Sequence, residues 1–427
     1  MSWKRPVFAL LATLLFFGVA ELVLWGAGVD TLLSKRDPFQ GFSGRLDVFE
    51  LDEEDGLYRT PPRAVAHSFS YQQFASTKPD DGFRIFVLGG SSAQGFPWGG
   101  QLAFTHLLGA ALQESMPDRT VEAVNAAAMS YGSHRLRVLA GELAAYQPDL
   151  FVVYGGHNEF VERQFYESYL DRPARLDALR SLLYRSRVYS LMTDLLEPSA
   201  TTVDPEAIET ETTGELLGLD VRREYSDDVA ETERREVERH FEDNLRAIVR
   251  IAHEAGAQVV LCTVPSNIKD WKPNQSVFDD PVSFEDRQRV RTLLDRAAGS
   301  LEAGDADAAL ASAEQAAAIS PSYAEAQYQL ARALEGVGRI AEARAAYVRA
   351  RDLDAQPARA SSALNEILRR VASDEDAVLL DVDASFAEAS PGGLVGFNLL
   401  EDYVHPKPEG HRLIARELWR LILERGL

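Results

Sequence analysis

Four short stretches of this 427-residue chain carry residue types that could perform acyl chemistry. The first is Gly89-Gly90-Ser91-Ser92, where a serine directly follows an apolar run. A serine on a sharp turn leaving a strand exposes its hydroxyl and frees its own backbone N–H to bind an anion. Asn125 to Ser133, with Ser130, Tyr131 and Gly132, is a second loop of this kind, and its backbone N–H groups can point into the same crevice. The third is Tyr154-Gly155-Gly156-His157-Asn158-Glu159, where the Asn158 amide can donate to a developing oxyanion. The fourth is Asp402-Tyr403-Val404-His405, ending 22 residues before the C-terminus. A carboxylate three residues before an imidazole can hold the ring in one tautomer, leaving the other nitrogen to take a proton from a serine. Taken singly these are weak signals. Gly-Ser loops are mostly plain strand-to-helix turns, and an isolated Asp-x-x-His is often a surface pair. His157 invites a metal or base reading, but no metal-ligand spacing surrounds it, so it is read as support for its loop.

The elements that would position these residues are visible in the periodicity. Arg84 to Leu88, Val121 to Val124, Asp149 to Tyr154, Gln258 to Val264 and Val378 to Val382 are short β-favouring runs. Phe104 to Glu114 and Ser133 to Tyr146 have helical spacing. Phe241, Leu245, Ile248 and Ala252 mark a helix stopping at Gly256, and Leu413, Leu418, Leu421 and Ile422 a final one. Leu176 to Leu196 reads as one or two helices. Thr201 to Asp220, with six acidic and no basic residues, reads as a solvated excursion or lid. Strand–helix alternation predicts an α/β fold, a parallel sheet with helices on both faces.

The gap before the fifth strand is too long for a plain crossover and holds an internal repeat. At an offset of 34 residues, Ala297 matches Ala331, Ala309 matches Ala343, Ala313 matches Tyr347 and Ala316 matches Ala350. Pro321 falls in the first turn and Pro357 closes the second unit. This resembles the tetratricopeptide pattern, in which small residues let helix pairs pack closely. The units are read as Val290–Ser322 and Tyr323–Pro357, with Ala360 to Ala372 as a following helix. A concave face of such helices implies a protein or peptide partner.

The order of the four chemical stretches resembles the SGNH (GDSL-like) hydrolase family over about Arg84 to Phe160, Val259 to Asn267 and Val378 to the end. The resemblance implies a three-layer, flavodoxin-like α/β sheet interrupted by the helical insertion, with Ser91 as nucleophile, His405 as general base and acid, and Asp402 as its orienting partner. It implies an oxyanion hole made by the Asn158 amide and the backbone N–H groups of Ser91 and Ser130. No cofactor or metal is implied. Three departures stand out. Gly90 replaces the usual aspartate, as in the Gly-Gly-Ser branch of the family. Ser130 replaces the usual second-block glycine, with Gly132 close by. Glu159 follows Asn158 where aspartate is usual. The implied reaction is hydrolysis of an acyl ester through an acyl-enzyme, with acylated carbohydrate as one candidate substrate. Acyl transfer to an envelope polysaccharide by the same triad, or a non-catalytic repeat scaffold, are the alternatives.

Composition bounds these readings. A net charge of −22, from 44 basic and 66 acidic residues, repels phosphate backbones and excludes nucleic acid as a natural partner. The single cysteine, Cys262, excludes a disulfide framework or a cysteine zinc cluster. Lys4 and Arg5 precede 23 mostly apolar residues, Val7 to Val29, interrupted by Glu21. That stretch predicts either a single-pass inner-membrane anchor, with the catalytic part on the extracytoplasmic side, or a cleaved signal peptide and secretion. The expected organisation is an anchor or signal over 1–30 and a linker and wrapping segment over 31–82. The hydrolase domain follows over 83–289 and 373–427, interrupted by the helical insertion at 290–372.

Overall fold

The computed structural model describes residues 16–27, 29, 48–162, 183, 186–196 and 227–427. The chain forms two units, 1–46 with 167–220, and 47–166 with 221–427.

In the second unit, the apolar runs become a five-stranded parallel sheet. Its strands are β4 (Gly82–Gly89), β5 (Thr120–Asn125), β6 (Leu150–Tyr154), β7 (Gln258–Cys262) and β8 (Val378–Leu380). The spatial order is β5-β4-β6-β7-β8, and every pairing is parallel. This is the flavodoxin-like order 2-1-3-4-5, in which the chain reverses direction across the sheet beside its first strand. The central strands are mostly apolar because helices cover both faces, Arg84 of β4 being the charged exception. All of β4 and β6 is buried. Helix α1 (Phe104–Ser115) packs with the C-terminal helix α9 (Pro408–Arg425); α2 (Ser133–Leu143), α3 (Asp227–Glu254) and α8 (Ser362–Asp374) form the other group.

Four helices stand between β7 and α8: α4 (Phe284–Glu302), α5 (Ala306–Ile319), α6 (Ala324–Gly336) and α7 (Ile340–Asp352). All eight residues matched at the 34-residue offset are buried. Ala297, Ala309, Ala313 and Ala333 form one shared core, and Ala331, Ala343 and Tyr347 belong to the next. Small side chains at the crossings let the helix axes approach, which is why alanine recurs there.

Between 48 and 79, where the sequence looks irregular, the chain makes an antiparallel sheet of β1 (Glu50–Asp52), β2 (Leu57–Arg59) and β3 (Gln73–Ala75). Strands of three residues offer too few alternations for a period of two to register. A buried arginine ties this sheet to the main one. Arg84 of β4 donates from Nε to Glu122 Oε2 at 2.7 Å, from Nη1 to Tyr146 O at 2.6 Å and from Nη2 to Ala75 O at 2.7 Å. Full pairing is what makes a wholly buried guanidinium tolerable in a strand.

The first unit corrects the expected location. Residues 7–15 of the apolar stretch lie outside the described residues. The described part of it is helical over 16–26. No helix among the described residues is long and apolar enough to cross a membrane. Glu21, inside that helix, accepts hydrogen bonds from Ser186 Oγ, from Arg187 N at 2.9 Å and from Val188 N at 3.2 Å. Its carboxylate thus sits at the start of the helix Arg187–Leu196. The single-pass inner-membrane placement and the membrane partner are therefore not supported. Of the helices expected over 176–196, only Arg187–Leu196 is described beyond residue 183, and the acidic stretch 201–220 lies outside the described residues.

Candidate active site

The sheet order places the carboxyl ends of β4, β5 and β6 side by side, at the reversal point where open α/β sheets generally bind their ligands. The first three stretches of interest leave from these ends. β4 and β6 pair at Gly89 and Tyr154, and a side chain at 89 would meet Tyr154 O at 2.3 Å. At Gly90 an added Cβ would stand 2.3 Å from Asn158 Nδ2. The glycine that replaces the usual aspartate thus has a packing reason: the Asn158 amide lies against its Cα. Ser91 then opens the four-residue helix Ser91–Gln94, which ends at Gly95 with φ +106°.

His405 reaches Ser91 from the far end of the chain. Its Nε2 is 2.7 Å from Ser91 Oγ, and its Nδ1 is 2.5 Å from Asp402 Oδ2. The other carboxylate oxygen, Oδ1, accepts the backbone N–H groups of Val404 at 2.8 Å and His405 at 2.9 Å. Burial pushes the Asp402 carboxyl upward. The His405 hydrogen bond and charge, with the two backbone donors, outweigh that and hold it below the ordinary carboxylate range. An ionised Asp402 places the ring proton on Nδ1 and leaves Nε2 as the acceptor facing Ser91. The ring is 3% exposed and packs edge-on against Phe96 at 4.9 Å.

Three side chains that the sequence did not single out hold this loop. Ser92 Oγ donates to Val404 O at 3.1 Å, Trp98 Nε1 to Pro406 O at 3.0 Å, and Asn267 Nδ2 to Asp402 O at 3.0 Å. A readable signal existed for one: Ser266-Asn267 follows the end of β7, as the other polar loops follow their strands.

The amide of Asn158 is oriented by donation to Tyr131 O at 3.0 Å. In the second stretch, Ser130 has φ +59°, the left-handed region where glycine is usual. Gly132 N donates to Glu162 Oε1 at 3.0 Å, so of the two neighbouring candidates only Gly132 has its N–H committed to a carboxylate by an identified bond. Asn125 Nδ2 joins this loop to the serine turn through Ala93 O at 3.1 Å and Gln94 O at 3.3 Å.

Glu159 and Glu162 together cap α2. Ser133 N donates to Glu159 Oε1 at 3.0 Å, Ser133 Oγ to Glu159 Oε2 at 2.6 Å, and Arg135 Nε to Glu162 Oε1 at 2.7 Å. Carboxylates at a helix N-terminus satisfy its orphan donors. Burial, and then the charge of Glu162, push the Glu159 carboxyl up to about 8. A raised acid pKa favours the folded state most below the unfolded value near 4.5, and that advantage is lost as pH rises through about 8. Glu159→Gln mimics the protonated form. Its Tm relative to wild type is therefore expected to rise between pH 5 and pH 8.5; parallel Tm curves would contradict this.

His157 is a buried loop support in geometry as well. Its Nδ1 accepts Ala360 N–H at 3.2 Å, and burial, with the neighbouring His405, brings its pKa down to about 3. Among the described residues no group of three or more His, Cys, Asp or Glu side chains could hold a metal ion.

The tetratricopeptide repeat family model matches residues 300–367. No curated protein matches the chain. Among solved structures the chain is similar to an acetyl xylan esterase at 12% identity, covering 80% of this chain and 100% of that one with a TM-score of 0.36. A GDSL-like lipase from Bacteroides thetaiotaomicron matches at 10% identity, 83% and 93% coverage and a TM-score of 0.35. A catalytic mutant of an acetylxylan esterase from Geobacillus stearothermophilus matches at 14% identity, 81% and 96% coverage and a TM-score of 0.36. The strand order defines an α/β protein with a flavodoxin-like parallel sheet, and the four helices between β7 and α8 make its helical repeat region.

Proposed function

We propose that this chain is a serine ester hydrolase of the SGNH type, acting on an acyl ester through an acyl-enzyme on Ser91. The observation that supports it best is the continuous line from Asp402 Oδ2 through His405 to Ser91 Oγ, at 2.5 and 2.7 Å. In this reading Ser91 Oγ attacks the ester carbonyl while His405 Nε2 takes its proton. The carbonyl electron pair moves to oxygen, facing the Asn158 amide and the N–H groups of Ser91 and Ser130. Collapse breaks the C–O bond, and the alcohol departs with the proton from Nε2. Water, deprotonated by Nε2, then releases the acid and restores Ser91.

A short-chain p-nitrophenyl ester tests this. A rapid release of about one p-nitrophenol per enzyme, followed by slower turnover, is the expected acyl-enzyme signature. Release no faster than in buffer would overturn the reading. The amide donor has its own test. Asn158→Ala is expected to lower kcat by about 10²–10³-fold with KM little changed, since the donor acts on charge that develops only in the transition state. Gly90→Ala, whose methyl would occupy the place of that amide, should produce a loss of similar kind. A Gly90→Ala enzyme with wild-type kcat would contradict the placement of Asn158.

A further inference from the structure

We infer that Arg359, at the exit of the helical repeats, is a positioning residue for the candidate catalytic loop, so that the repeat region is a working part of the hydrolytic site. The inference rests on the hydrolase reading above. Arg359 lies between α7 and α8 and is 2% exposed. Its Nη1 donates to Asn267 O at 2.5 Å and to Trp271 O at 2.9 Å. Asn267 in turn donates from Nδ2 to Asp402 O at 3.0 Å and from its backbone N to Tyr403 O at 3.0 Å. One guanidinium is therefore a single residue removed from the backbone of Asp402, whose carboxylate orients His405.

The next residue ties the same turn to the other side of the site. Ala360 N donates to His157 Nδ1 at 3.2 Å, beside Asn158, and Ala360 O accepts from Ser266 Oγ at 3.2 Å. Residues 359 and 360 thus touch both the loop that carries the amide and the loop that holds the Asp402–His405 stretch. The repeats grip that second loop again through Tyr328 Oη, which donates to Lys269 O at 2.9 Å. Asp354, which accepts Asn274 N at 2.8 Å and Gln275 N at 3.0 Å, faces Arg359 at 3.9 Å and compensates its buried charge. A surface repeat that only displayed a docking face would not need a buried cation aimed at the carbonyls beneath a catalytic loop.

The test uses the full chain. Arg359→Lys keeps the charge, but its side chain ends one bond short of the Nη1 that bridges both carbonyls and lacks the planar guanidinium that aims it. It is expected to lower kcat for a short-chain aryl ester by about 100-fold with KM little changed, the size associated with a misplacement of about 1 Å. Asn267→Ala leaves Arg359 and Asp354 in place, cuts the side-chain bond to Asp402 O, and should lose turnover likewise. Leu294→Ala, in the separate repeat core of Val290, Leu293, Ala316 and Ala326, is the control for lost stability and should keep its kcat. The low-field proton resonance of His405 Nδ1–H, recorded without substrate, should persist in Leu294→Ala and shift or vanish in Arg359→Lys. Wild-type kcat in folded Arg359→Lys or Asn267→Ala would overturn the inference, as would a matching kcat loss in Leu294→Ala. Those outcomes leave the hydrolase reading standing. A wild-type protein that does not turn over the ester removes both.

Discussion

Ser91→Ala is expected to reduce kcat for ester hydrolysis by about 10⁴-fold or more, on the order of 5–6 kcal/mol of transition-state stabilisation. His405→Ala should cost about as much, and the double variant little more than either. The reason is geometric. With Nε2 2.7 Å from Oγ, the hydroxyl and the ring act as one device, and removing either part leaves the other without a task. Additive losses would mean that the two groups work independently and that their proximity is structural. The methyl of alanine fits where the half-buried Ser91 side chain stood, so circular dichroism and Tm should stay near wild type.

The second large effect is expected from Asp402→Asn, about 10⁴-fold in kcat at neutral pH. Asp402 Oδ1 is held by the N–H groups of Val404 and His405. An asparagine keeps those bonds only with its carbonyl oxygen in that place, which turns its NH₂ toward His405 Nδ1. Two donors cannot face each other, so Nδ1 must become the acceptor and the ring proton moves to Nε2. The ring then presents a donor to Ser91 where the reaction needs an acceptor. The loop stays folded and the tautomer is wrong. Activity of Asp402→Asn within tenfold of wild type, measured as kcat/KM across pH, would contradict this role for the carboxylate.

Much of the fold was legible because its central strands are short apolar runs punctuated by glycine, and because the repeat obeys a fixed offset. The four polar stretches were legible as types in an order. Their convergence was not, since Ser91 and His405 are separated by 314 positions and only the sheet order brings their loops together. The loop supports were hidden for a related reason. Ser92, Trp98, Asn267 and Arg359 act by donating to backbone carbonyls, and a carbonyl leaves no trace in residue type. Gly90 reads as a departure from a motif until the Asn158 amide is seen against it. The location was misread because 23 mostly apolar residues satisfy a length criterion, whereas no helix among the described residues is long and apolar enough to cross a membrane and Glu21 is bound by backbone and hydroxyl donors.

The most direct measurement is the site of covalent capture by a fluorophosphonate, which phosphonylates a serine hydroxyl activated by a neighbouring base. The intact mass of the wild-type protein should rise by one phosphonyl group, with the modified peptide containing Ser91. Ser91→Ala should remain unmodified, and His405→Ala should react far more slowly. Capture at another serine, or an unmodified wild-type protein that is demonstrably folded, would contradict the assignment of Ser91 as the nucleophile.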